Sequence, residues 1–94
     1  MEDLETRFAS RGVKRGGLLL FRAPDALAFI ADARAEDIPV LGIETFTLTE
    51  QTTESHLDHI LDLSDAEETF DTWSCAAEFV SERASGDYFF DVTV

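Results

Sequence analysis

Apolar residues along this chain fall into short blocks whose internal spacing changes from one block to the next. Leu18-Leu19-Leu20-Phe21 is an unbroken run fenced by Gly16-Gly17 and Pro24, the pattern of a short buried strand. From Pro24 onward the period becomes helical: Leu27, Phe29, Ile30 and Ala33 form a stripe, with Ala26, Ala28 and Ala31 around it. Pro24 suits a first helical turn, where its missing N–H costs nothing, and Asp25 complements the positive end of the helix. Ile38-Pro39 predicts a stop near Glu36. Ile38 to Leu48 is rich in β-branched and aromatic residues and predicts a second strand, bulged at Gly42, with a turn over Thr49 to Thr53.

Ser55 to Leu63 admits two readings. As a strand it alternates cleanly, with Leu57, His59, Leu61 and Leu63 on one face and His56, Asp58, Ile60 and Asp62 on the other. As a helix it would bring His56 and His59 onto one face, where a neighbouring carboxylate could complete a zinc shell. The alternation favours the strand, which separates the two imidazoles and leaves His59 among leucines and His56 in solvent. Ser64-Asp65 then offers a cap and Glu67-Glu68 an acidic first turn for a second helix, on which Phe70, Trp73, Ala77, Val80 and Ala84 recur at helical spacing. Gly86-Asp87 ends it. Tyr88 to Val94 predicts a last strand with Tyr88, Phe90, Val92 and Val94 facing inward.

The order β-α-β-β-α-β is that of a ferredoxin-like α+β sandwich, a four-stranded antiparallel sheet with two helices on one face and the other face open. Residues 1–16 are polar and end in a glycine-rich stretch, which predicts a flexible or loosely docked N-terminal arm, and residues 17–94 a single domain.

Charge changes the picture most. Twenty acidic residues face seven basic ones, for a formal net charge of −13. Residues 1–16 are weakly positive, so the body carries the whole deficit, and no Lys or Arg occurs between Arg34 and Arg83. A field of that sign repels nucleic acids and anionic lipid and steers cationic partners inward. The single cysteine, Cys75, allows no internal disulfide. With no export-like start and no apolar run long enough to span a bilayer, a cytoplasmic protein without membrane contact is expected.

Candidate chemistry is sparse. No nucleophile elbow, dinucleotide turn or phosphate loop occurs, Cys75 sits among alanines in acidic surroundings that disfavour a thiolate, and carboxylate pairs are unavoidable at this acid content. No catalytic residues, metal ligands or cofactors are therefore assigned, and an enzyme is not expected. The one constellation of interest lies on the helix-free face, where Ile60 and Phe89 would form an apolar centre with Glu44, Glu54, Asp58, Asp62 and Asp91 around it, as a site for a basic protein partner requires. An open sheet of this kind also suits a homodimer.

Ala26 to Ile30, Val40-Leu41-Gly42-Ile43-Glu44-Thr45-Phe46, Ile60-Leu61-Asp62-Leu63-Ser64 and Tyr88-Phe89-Phe90-Asp91-Val92 together resemble small acidic bacterial proteins of the toxin-immunity type, over most of residues 17–94. The shared positions are core positions, so no functional residue carries over from them. The resemblance implies an antagonist that binds a basic toxin, such as a nuclease, and blocks its active site without chemistry of its own. Two alternatives stand beside it: a dimeric module that senses a small molecule, and a protein whose acidity is adaptation to a salty cytoplasm.

Overall fold

The computed structural model describes residues 3–94. Its elements are α1 (Leu4–Phe8), a short 3₁₀ turn (Ala9–Arg11), β1 (Val13–Arg15), β2 (Leu18–Leu20), α2 (Ala23–Ala35), β3 (Gly42–Leu48), β4 (Thr53–Asp62), α3 (Thr72–Glu82) and β5 (Phe89–Thr93). The class is α+β, as the hydrophobic pattern predicts.

The sheet departs from the ferredoxin-like expectation. Three strands, in the order β4-β3-β5, form one antiparallel sheet, and β1 and β2 form a separate hairpin. That hairpin touches the sheet through a single antiparallel bridge, Phe21 to Phe90, whose two N–H groups donate to the opposite carbonyls at 2.9 and 2.7 Å. The first apolar run therefore pairs mainly with the segment before it. Gly16 and Gly17, with φ of 54° and 88°, supply the two left-handed positions of a tight two-residue hairpin turn. β5, the last strand, lies at the edge of the three-stranded sheet, where Phe90 makes the bridge to Phe21.

Of the segment expected as an N-terminal arm, residues 1–2 lie outside the described residues, and the remainder carries α1, the 3₁₀ turn and β1. Asp3 accepts the Thr6 N–H at 2.8 Å and caps α1. Leu4 and Phe8, one helical turn apart, are buried, and the Phe8 ring meets Phe21 and Phe29 edge-on at 6.1 and 5.3 Å. This aromatic group joins the hairpin, α1 and α2 into the main core, which continues through Ala26, Ile30 and Ala33 of α2, Ala76, Phe79 and Val80 of α3, and Ile43, Phe90 and Val92 of the sheet.

α2 matches its predicted limits to within a residue. It ends in a Schellman motif: Asp37 takes φ 58°, the Ile38 N–H returns to the Ala33 carbonyl at 2.8 Å, and the Asp37 N–H returns to Arg34. α3 begins later than expected. Its cap is Asp71, which accepts the Ser74 N–H at 2.9 Å, so Ser64 to Phe70 forms turns and the buried stripe is Thr72, Ala76, Phe79 and Val80. Phe70, expected on the helix, precedes the cap and is half exposed.

β4 is a strand, but its alternation breaks. Glu44 pairs with Ile60 and Phe46 with Ser55, so Thr45 alone of β3 faces residues 56–59 of β4. A bulge of three extra residues reverses the parity on its far side. Leu57 is thrown outward, 82% exposed, and the two histidines, expected on opposite faces, come to the same one. Their ring centroids are 6.3 Å apart and each lies within 5.6 Å of the Tyr88 ring. His56 bonds the Thr47 hydroxyl, and Arg83 Nε donates to His59 Nδ1 at 3.2 Å.

Replacing Phe8 by alanine should lower stability by about 3–5 kcal/mol, since it empties a packed aromatic site. Chemical denaturation measures this, and a loss within experimental error of zero would return residues 3–16 to the status of a loose arm.

Candidate functional site

Directly opposed residues of an antiparallel sheet share a face, so the register of β3 defines what the helix-free side displays. Glu44 lies between Ile60 of β4 and Asp91 of β5, and Gly42 lies between Asp62 and Thr93. These six residues form a strip at one end of the sheet. Ile60 is 44% exposed and is its apolar residue; Glu44 and Asp62 flank it, with Asp91 one strand beyond Glu44. A shallow groove of about 370 Å³ follows the strip and runs past Leu41 and Ser64. Gly42 is needed here, because a Cβ at this position would lie 2.9 Å from the Leu61 carbonyl oxygen.

Only one end of the face is open. Phe46 points the same way as Glu44, yet it is 5% exposed, and Leu20 of β2 is fully buried. Arg15 of the β1–β2 hairpin donates to the carbonyls of Thr49 at 2.8 Å and Thr52 at 3.3 Å. The hairpin is thereby fastened to the turn between β3 and β4, where it is placed to cover that end.

Of the seven residues assigned from sequence, Glu44, Ile60, Asp62 and Asp91 come together. The other three do not. Phe89 shares the face, but it pairs with Phe46 and carries the Arg22 guanidinium over its ring at 4.4 Å, so it is no exposed apolar centre. Asp58 sits in the bulge, 3.7 Å from His59 Nε2. Glu54 pairs with Thr47 and so faces the opposite side near the far turn. Sequence reasoning missed Leu41, 41% exposed at the end of this groove; its signal was the apolar pair Val40-Leu41 directly after Pro39, of which only Val40 is buried.

Electrostatics sharpen the strip. Ser64 donates to Asp62 through its hydroxyl at 2.6 Å and its N–H at 3.0 Å, which lowers the Asp62 pKa and holds the charge in place. Asp91 behaves oppositely: partial burial, and then the nearby Glu44 and Glu5 carboxylates, raise its pKa above the ordinary 3.8.

The arginines are engaged elsewhere. Arg7 pairs with Glu36 and Asp32, Arg11 with Asp25, Arg22 with Asp87, Arg34 with Asp71 and Arg83 with Glu82. Between Gly42 and Phe70 the chain holds eight carboxylates and neither Lys nor Arg. The guanidiniums that reach this stretch, Arg15 at the Thr49–Thr53 turn and Arg83 at His59, contact it away from the strip. No Lys or Arg lies within ion-pairing distance of Glu44, Asp62 or Asp91 among the described residues. Apart from Arg83, whose side chain is largely covered, these pairs are exposed or partly exposed and contribute little to stability; what the pairs determine is where negative potential remains.

Comparison with protein-family models, with characterised proteins and with solved structures finds no match to this chain.

Asp91→Asn tests the electrostatic description. A carboxyl whose folded-state pKa is raised opposes folding once it ionises, and that penalty disappears as pH falls through the folded pKa towards 3.8. The variant should therefore be more stable than the parent at neutral pH, with the difference vanishing near pH 3.8 and below. Thermal denaturation across pH reads this out; a variant less stable at neutral pH would show that the Asp91 charge is instead satisfied by the fold.

Proposed function

We propose that this protein binds a basic protein and neutralises it by occupancy, as an antagonist of the immunity type, with the Glu44–Ile60–Asp62–Asp91 strip as the point of docking. One observation carries the reading: arginines pair the carboxylates of α2 and those at the two ends of α3, while among the described residues none pairs Glu44, Asp62 or Asp91 at the Gly42–Asp62 end of the sheet. Such a surface accelerates encounter with a cationic protein and repels wrong, anionic partners. It also imitates a row of phosphates, which is how it would cover the active site of a nuclease-type toxin.

Ile60 supplies the apolar contact that an interface centre needs, and the carboxylates form its rim. A homodimer through the same strip is disfavoured, since it would set Glu44, Asp62 and Asp91 against their own copies. The sign of the field likewise disfavours nucleic acid.

Affinity capture from the native host with paired variants tests the proposal. The parent, and a control neutralised on α2 (Asp32→Asn with Glu36→Gln), should retain the same basic protein. The strip variant Glu44→Gln/Asp62→Asn/Asp91→Asn should bind that protein about tenfold or more weakly, with a shallower salt dependence. Equal binding by the two variants would remove the strip from the interface. A requirement for molar salt in order to fold, with binding unchanged, would favour the salt-adaptation reading instead.

A further inference from the structure

We propose that the docking surface continues past the end of the sheet into a second groove, and that this groove receives an apolar side chain flanked by lysine or arginine on an extended segment of the basic partner. This rests on the function proposed above and adds to it an anchor and a sequence preference.

The two depressions are continuous, because Leu41 and Ser64 line both. The second, of about 440 Å³, lies between the segment that follows α2 and the turns that precede α3, and its size is within the range of pockets that enclose a bulky side chain or small ligand. Its floor is held from both sides. The Val40 N–H donates to the buried Thr72 Oγ1 at 3.0 Å, and Trp73 Nε1 donates to the Ile38 carbonyl at 2.7 Å. Its outer wall is a tied loop: Leu63 N–H donates to Leu41 O at 2.8 Å, and Phe70 N–H to Glu67 O at 2.9 Å. A groove so framed exists before any partner arrives, which lowers the cost of binding.

The lining explains the chemistry. Phe70 is 48% exposed and Leu41 41%, and with Ile60 they account for three of the five large apolar residues that the described surface exposes. All three lie along these two grooves. Exposed apolar residues scattered singly mean little, whereas a continuous line of them marks a contact surface. Glu67 and Glu68 stand on the rim, and no Lys or Arg reaches either among the described residues. Exposed Leu41 and Phe70 beside unneutralised carboxylates in a mixed polar and apolar groove select an apolar anchor between cations. A second copy of this chain would bring its own acidic rim and is repelled.

Trp73, the chain's one tryptophan, lines this groove but not the sheet strip, so its fluorescence separates the two. The probes are two synthetic peptides of equal length and charge, one alternating Lys with Phe and the other Lys with Ser, each labelled for anisotropy. The Lys/Phe peptide should bind about tenfold or more tightly, the gain expected from burying one aromatic side chain, and should shift the Trp73 emission. Phe70→Ser, at a half-exposed position outside the helix, should reduce its affinity to the Lys/Ser level and abolish the shift, with an unchanged far-UV spectrum. Glu67→Gln/Glu68→Gln should weaken both peptides.

Equal affinities, or binding with Trp73 silent, would overturn the groove and leave the sheet strip standing. Failure of both peptides to bind at low salt would overturn both proposals. A concentration-dependent Trp73 shift in the protein alone, lost in Phe70→Ser, would assign the groove to a second copy and overturn it as well.

Discussion

With one lysine and six arginines to set against twenty carboxylates, this chain can neutralise only part of its surface, and where it does so shapes everything else. Five arginines meet carboxylates on or beside α2 and α3, and the sixth is bound to backbone carbonyls at the β3–β4 turn. Arg7 and Arg11 come from the N-terminal segment and hold it to α2 through Asp32, Glu36 and Asp25. Pairs of this kind add little stability when exposed. Their consequence is geometric: the carboxylates of α2 are offset, while those at one end of the sheet and on the loop that follows β4 have no arginine partner among the described residues, Asp71 at the end of that loop excepted.

The core makes that distribution possible. Phe8, Phe21 and Phe29 lock α1, the hairpin and α2 together, while Phe90 and Val92 carry the same apolar body into the sheet. With that core on the helix side, β3 and β4 display Glu44, Ile60 and Asp62 on the opposite face. The hairpin, tied by Phe21 and Arg15, leaves just one end of that face uncovered. Exposed Leu41, Ile60 and Phe70 line the grooves there beside Glu44, Asp62, Glu67 and Glu68, none of which an arginine pairs among the described residues.

Local signals carried much of this in the sequence. α2 was legible because its helical period, Pro24 and Ile38-Pro39 all agree, and β5 because Phe90 and Val92 alternate with polar neighbours. The α+β class followed from the same patterns, as did the common sheet face of Glu44, Ile60, Asp62 and Asp91. The remainder depended on non-local choices. Nothing in Ser55 to Leu63 announces a bulge opposite Thr45, which moves Leu57 out and brings His56 beside His59. The cap of α3 is Asp71 rather than Ser64, because Asp62 takes the Ser64 hydroxyl and N–H for itself. The polar segment before Gly16 read as an arm because two apolar residues, Leu4 and Phe8, are too few to make a stripe, although they suffice to fill a gap among aromatics supplied by later elements. Phe89 looked like an open apolar centre until Arg22, from the end of the hairpin, came to lie over it.

The concentration of negative potential can be measured directly, residue by residue, from the ratio of amide relaxation enhancements produced by a cationic and an anionic nitroxide probe in solution. That ratio should be markedly higher for amides of Gly42 to Glu44 and Ile60 to Phe70 than for those of α2, where arginines offset the acids. A ratio uniform across the sheet end, the loop and α2 would contradict the claim that this molecule holds its charge in one place.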